Sequence, residues 1–191
     1  MITIARTGLE NLDAYVRRFG DGANKAASMT LNDTARWART RLKAQMQADI
    51  RLTESAFTGK RLYVAEFANP GHLQATVRGD KQGYSLSRFS VDKPVRLARA
   101  PFLQIKRGGP SVQVKRGFFL PAPNGALGLA VRTNGPLTKG KGRKISKNLY
   151  ILFGPSPDQM MKRLVPELVP SVLRYADTEF TRQIKRFITN G

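Results

Sequence analysis

The spacing of apolar residues changes twice along this 191-residue chain, and that change constrains the fold more than any single motif. Leu9, Leu12, Val16 and Phe19 recur three and four residues apart, one face of a short helix that Gly20 and Gly22 should end. Ala23, Ala27, Leu31, Ala35, Ala38, Leu42 and Met46 hold the same period as far as Ile50, with no proline or glycine inside. That predicts a helix of about 28 residues, roughly 42 Å long at a rise of 1.5 Å per residue. Its alanine stripe lets a neighbouring element approach closely, while Arg36, Arg39, Arg41 and Lys43 crowd the remaining surface. Thr53, Glu54, Ser55 and Phe57 suggest one further helical turn, closed by Gly59.

Beyond Gly59 the period drops to two. Leu73, Ala75 and Val77 alternate with polar neighbours, as do Phe102 with Gln104, Val112 with Val114, and Leu127 with Leu129 and Val131. Glycine- and proline-rich breaks at residues 79–83, 108–110 and 121–125 divide these strands. Leu149, Tyr150, Ile151, Leu152 and Phe153 are apolar on both faces and stop at Gly154-Pro155, which reads as a buried strand. The helical period then returns. Met160, Met161, Leu164 and Val165 predict a short helix, and Leu168, Val172, Leu173, Tyr175, Ala176, Phe180, Ile184, Phe187 and Ile188 a longer one starting near Pro166. The expected architecture is α+β: N-terminal helices including one long helix, a central antiparallel β-sheet with basic loops, and C-terminal helices. It is expected as a single domain over residues 1–191, helical over 8–58, mainly β over 61–153 and helical over 157–189. No repeat of solenoid period is visible.

Lys and Arg number 33 against 13 Asp and Glu, a formal charge of +20. The surplus is concentrated. Between Asp92 and Asp158 there is no acidic residue, while Lys93, Arg96, Arg99, Lys106, Arg107, Lys115, Arg116, Arg132, Lys139, Lys141, Arg143, Lys144 and Lys147 all fall there. A one-sign field of this kind attracts polyanions, meets an acidic protein surface, or simply keeps the chain soluble. Lys139, Lys141, Arg143, Lys144 and Lys147 crowd into nine residues with two glycines, which reads as a mobile basic loop. Such a loop contacts phosphates without reading base sequence, or becomes ordered against protein neighbours. Lys115, Arg116 and Arg132 lie in the same field and complete the candidate contact set.

The chemistry available is narrow. The absence of cysteine removes disulfides, thiolate nucleophiles and cysteine-ligated metal centres, and a single histidine leaves no two-histidine site. Residues 135–142, GPLTKGKG, satisfy seven positions of the phosphate-loop pattern but put Gly142 where a Ser or Thr must hold magnesium. His72 follows the turn signature Asn69-Pro70-Gly71 and reads as a surface histidine. Asp80 and Asp92 stand isolated in polar loops, so neither a carboxylate pair nor a metal-dependent nuclease centre can be assembled from the middle of the chain. No catalytic residue, cofactor or metal is expected, and the chain is not expected to be an enzyme. The first residues lack the apolar core of a secretion signal, and no apolar run approaches a membrane span, so no membrane partner is expected. Helix-turn-helix, zinc-finger and RNA-stacking signatures are missing too.

The order of these pieces resembles the phage minor tail protein Z family, the tail completion proteins of long-tailed phages. The matching features are ANKAASMTLNDTARWARTRLKAQM, then DIRLTESAF, then VQVKRGFFLPAPNGALGLAVRTNG, and finally LYILFGPSPDQMMKRLVPELVPSVLRYADTEFTRQIKRFI. Phe118, Phe119, Arg132, Gly154, Pro155 and Ser156 sit where the family places an aromatic strand, an arginine and a Gly-Pro-Ser stop. The basic segment is longer and richer in glycine here than in the family. The resemblance implies a structural virion protein of the tail neck, made in the host cytoplasm. It would assemble with itself as a six-fold ring between the tail tube or tail terminator and the head connector proteins, around the DNA path. Lys139, Lys141, Arg143, Lys144 and Lys147 would then face phage DNA, held non-specifically, or the connector, with Leu168, Val172 and Phe180 in the core. The alternative is a free, non-sequence-specific nucleic-acid-binding module.

Overall fold

The computed structural model describes residues 2–5, 20–57, 59–121, 126–135 and 142–190. The short helix expected around Leu9 to Phe19 lies outside the described residues. Two helices and several antiparallel sheets make the fold mixed α+β. The chain divides into two compact units whose segments interleave: residues 1–45, 57–80 and 157–191 form the first, residues 46–56 and 81–156 the second. The three consecutive sections visible in the sequence do not separate these units, because the chain passes from one to the other four times.

In the first unit, β1 (Ile2–Ala5), β2 (Leu62–Glu66) and β3 (Gln74–Gly79) form an antiparallel sheet in the order β1-β3-β2. The strand β1 was not expected from the sequence, although Ile2 and Ile4 alternate with polar neighbours and are both buried. Helix α1 (Asp21–Asp49) buries Ala23, Ala26, Ala27, Leu31, Ala35, Ala38 and Leu42 completely. Gly22 was expected to end the preceding helix but lies within the first turn of α1. Gly20 precedes that turn with a φ of +55°, a conformation glycine adopts without strain, and its carbonyl accepts from Ala23 N.

Helix α2 (Pro157–Asn190) corrects a further expectation. It is one continuous helix with Pro166 and Pro170 inside it, where a short helix followed by a longer one was expected. Each proline removes an N–H, so the carbonyls of Lys162 and Pro166 lose their intrahelical partners. Lys162, Pro166 and Pro170 are all exposed, which leaves those carbonyls to water, and the buried stripe from Met160 through Leu164, Leu168, Val172, Ala176 and Phe180 runs through unbroken. Packing on that stripe outweighs the local cost.

Side chains join the two helices. The Trp37 and Tyr175 rings stack with centroids 4.7 Å apart, and Arg41 sits over Trp37. Deeper in, Gln183 is 1 % exposed and donates to the Glu179 carboxylate at 2.8 Å, with Asp33 on its other side at 3.5 Å. Arg182 grips the same carboxylate through two bonds. That grip, aided by Gln183, holds the Glu179 carboxyl below its ordinary value of 4.5 despite burial. Burial and the neighbouring Glu179 and Asp33 charges push the Tyr175 hydroxyl up.

The second unit carries a four-stranded antiparallel sheet in the order β6-β7-β9-β8, beside a two-stranded pair of β4 (Phe102–Leu103) and β5 (Val112–Gln113). Its strands are β6 (Gly117–Pro121), β7 (Leu127–Arg132), β8 (Gly142–Ser146) and β9 (Leu149–Leu152). Leu103, Phe119 and Leu129 form the core, with Leu86, Val114, Leu127 and Leu152 packed around them. Of the five apolar residues expected to make a buried strand, only Tyr150 is buried, while Leu149, Ile151, Leu152 and Phe153 are half-buried. Residues 46–56 close the unit: Arg107 donates from its backbone to Asp49 O and from Nε to Gln47 O, placing a cation at the carbonyl end of α1. Among the described residues, no helix is long and apolar enough to cross a membrane.

Two outcomes follow. A Cβ on Gly79 would lie 2.8 Å from Asp158 N and Pro157 C, backbone that β3 meets at the start of α2. Gly79→Ala is expected to cost about 1–3 kcal/mol, read as a lower urea or thermal midpoint. Glu179, with its folded pKa depressed, contributes stability that is fully present above pH 4.5 and lost as pH falls through the folded value. Glu179→Gln is expected to lower stability at neutral pH and to flatten the acid limb of a stability profile between pH 5 and 2, measured by urea titration at each pH.

Candidate polyanion-binding surface

The second unit holds sixteen Lys and Arg against three Asp and Glu, so nearly every cation in it lacks an acidic neighbour within the unit. Lys115 and Arg116 form the exposed turn between β5 and β6. Arg132 ends β7, exposed. Arg143 and Lys144 lie on β8, which stands at the outer margin of the sheet, and Lys147 sits in the turn that follows. Lys139 and Lys141 lie outside the described residues, as does most of the phosphate-loop-like stretch.

The basic run is therefore not a loop throughout. From Gly142 to Ser146 it is a strand, paired antiparallel with β9 and returning through Lys147 and Asn148. Asn148 has a φ of +61°, in the left-handed region that asparagine tolerates better than most residues, and its carbonyl accepts from Thr133 N. Isoleucine at 145 between the polar neighbours Lys144 and Ser146, followed by Lys-Asn before an apolar run, was the signal for a hairpin; two glycines and five charges obscured it.

Register decides which candidates work together. Arg143 pairs with Ile151, which pairs with Ala130, and Arg132 pairs with Leu149, so Arg132 and Arg143 share one face of the sheet. Lys144 pairs with Tyr150, opposite Val131, and belongs to the other face. A single flat contact cannot engage all of them.

Arg116 and Arg132 meet at a second feature, a cleft of about 520 Å³. Its walls are Leu86, Ile105, Val131, Leu152, Phe153 and Gly154, with Thr133 and Asn134 beside the two arginines. The wall at Gly154 is closely packed, against the Phe89 and Leu86 side chains and against the backbone at Gly83. A Cβ there would lie 2.8 Å from the Phe89 ring and 3.1 Å from Leu86 Cδ2, while one on Gly83 would lie 2.5 Å from Gly154 O. Gly154 N donates to Tyr84 O at 2.7 Å. The sequence singles out Arg116 for charge, and Arg132 and Gly154 through the resemblance as well, but it gives no sign that these residues gather in one cleft, because its members are scattered from residue 86 to 154 and carry no shared spacing.

The groups with catalytic chemistry are placed otherwise. His72 is exposed, with Nε2 3.3 Å from Glu66 Oε1, and Thr76 and Gln74 donate to Glu66, lowering its carboxyl below the ordinary value. Asp80 is not isolated: Arg61 pairs with it, and its backbone bridges Arg61 O and Asp158 N. Among the described residues, no group of three or more His, Asp or Glu gathers to hold a metal ion.

No protein-family model, no curated protein and no solved structure matches the chain.

The left-handed turn residue gives a direct check on the strand that carries Arg143 and Lys144. Asn148→Gly is expected to leave the thermal midpoint nearly unchanged, whereas Asn148→Val should cost about 1–2 kcal/mol. Equal midpoints for the two variants would show that the turn does not hold the hairpin.

Proposed function

We propose that the chain is a structural protein of the neck of a long-tailed phage, a ring subunit joining the tail tube or terminator to the head connector around the DNA path. The observation that carries this reading is the charge of the second unit, sixteen basic residues against three acidic ones, with Lys115, Arg116, Arg132, Arg143, Lys144 and Lys147 exposed on its strands and turns. Support also comes from the ordered resemblance to minor tail protein Z, which runs across nearly the whole chain. A subunit of this kind needs no cofactor; it needs surfaces that hold a neighbour copy and meet either DNA phosphates or an acidic connector face. Arg132 and Arg143 form one such surface, with Lys147 close by in the turn, and Lys144 serves the opposite face of the sheet. The finer arrangement, long N-terminal helix toward its neighbours and basic segment toward the channel, belongs to the same proposal.

The exposed arginines and lysines also suit a free nucleic-acid-binding module, and one experiment separates the two. Light scattering of the purified chain at low and high salt, with and without a tail terminator ring, is expected to give either a ring or stoichiometric joining to the terminator. A persistent monomer or dimer that ignores the terminator yet binds duplex DNA steeply as salt falls would overturn the neck reading. Replacing Arg132, Arg143, Lys144 and Lys147 with Gln should leave the melting curve intact and weaken joining. If DNA is the partner, the slope of log affinity against log salt should shrink by about 0.9 for each phosphate that the variant no longer neutralises.

A further inference from the structure

Two properties of the cleft at Arg116 and Arg132 are poorly suited to a phosphate backbone. Most of its wall is apolar, contributed by Leu86, Ile105, Val131, Leu152 and Phe153, and Ile105 is still 36 % exposed. Duplex DNA offers charged and sugar atoms on its outside, which gain nothing by covering aliphatic carbon. Single-stranded nucleic acid enters such sites by stacking bases on aromatic rings, and Phe153 is the one ring among the lining residues.

The same cleft suits a peptide. Arg116 and Arg132 are both exposed, and among the described residues neither has a carboxylate partner. None can come from nearby in the chain, since no acid occurs between Asp92 and Asp158. A guanidinium takes a carboxylate through two parallel bonds, and Asn134, exposed beside the arginines, offers an amide to a peptide backbone.

We infer that this cleft docks an acidic segment of a partner protein, one that places an apolar side chain against Ile105 and Leu152 while its carboxylates meet Arg116 and Arg132. The inference does not rest on the neck reading. A chain that never joins a tail ring can pass its test, and a neck protein can fail it.

The test is fluorescence anisotropy on the whole chain with a short labelled peptide carrying one leucine flanked by aspartates. The same peptide with glycine for leucine, a short DNA duplex and a short single-stranded oligonucleotide serve as parallel probes. The leucine peptide is expected to bind about tenfold more tightly than the glycine peptide. Ile105→Ser should abolish that difference without changing the glycine peptide's affinity, while Arg116→Gln with Arg132→Gln should weaken both peptides about tenfold or more. All three substitutions fall on exposed residues, and a thermal melt of each variant checks that the fold is kept. Equal binding of the two peptides, or an unchanged leucine preference in Ile105→Ser, would overturn the inference. So would an oligonucleotide that displaces the leucine peptide and loses affinity on Ile105→Ser, since the cleft would then be a nucleic-acid site.

Discussion

Between Asp92 and Asp158 every charged side chain is positive, so no ion pair can form within that stretch and its cations turn to solvent, to backbone carbonyls, to the few acids elsewhere or to a partner. The second unit obeys this. Its cohesion comes from strand pairing and from an apolar cluster around Leu103, Phe119 and Leu129, while Lys115, Arg116, Arg132, Arg143, Lys144 and Lys147 lie at turns, a strand end and the outer strand of the sheet. Mutual repulsion among them falls off over a Debye length of about 8 Å at physiological salt, which makes the unit tolerable as a free species and attractive to any polyanion. Where a cation does find an internal role, it uses backbone carbonyls, as Arg107 does at the end of α1.

The first unit follows a different rule. Its alanine-lined helix and proline-containing helix each bury an apolar stripe, and several of its carboxylates have partners within the unit. Glu179 is tied to Arg182 and Gln183, Asp80 to Arg61, and Glu66 to Thr76 and Gln74. Both signs of charge are present there, so ion pairs and hydrogen bonds neutralise groups that the second unit leaves open. The contrast is electrostatic: the first unit, with seventeen basic and ten acidic residues, has carboxylates to pair with part of its cations, whereas the second has three for sixteen.

Much of the local structure was legible because periodicity is a local property. The stripe from Ala23 to Met46 predicted α1, and the alternation of Ala75 with Val77 and of Leu129 with Val131 predicted β3 and β7. The failures have physical causes. Pro166 and Pro170 looked like helix breaks, but their exposure lets water satisfy the freed carbonyls while the buried stripe continues. Residues 142–146 looked like part of a mobile loop because glycine and charge dominate the composition, whereas pairing with β9 is a contact that composition does not encode.

The candidate surface divides in the same way. By itself the sequence determined its sign and the functional groups it can offer, an acid-free run with no thiol and one imidazole in the chain, since side-chain charge and functional groups are carried by each residue wherever it lies. Only the tertiary structure decided which of those charges act together. It put Arg132 and Arg143 on one face and Lys144 on the other, and it brought Arg116 to Arg132 across a cleft walled by Leu86, Ile105 and Phe153. Strand register and backbone closeness at Gly83 and Gly154 are properties of distant segments meeting, and no spacing along the chain records them.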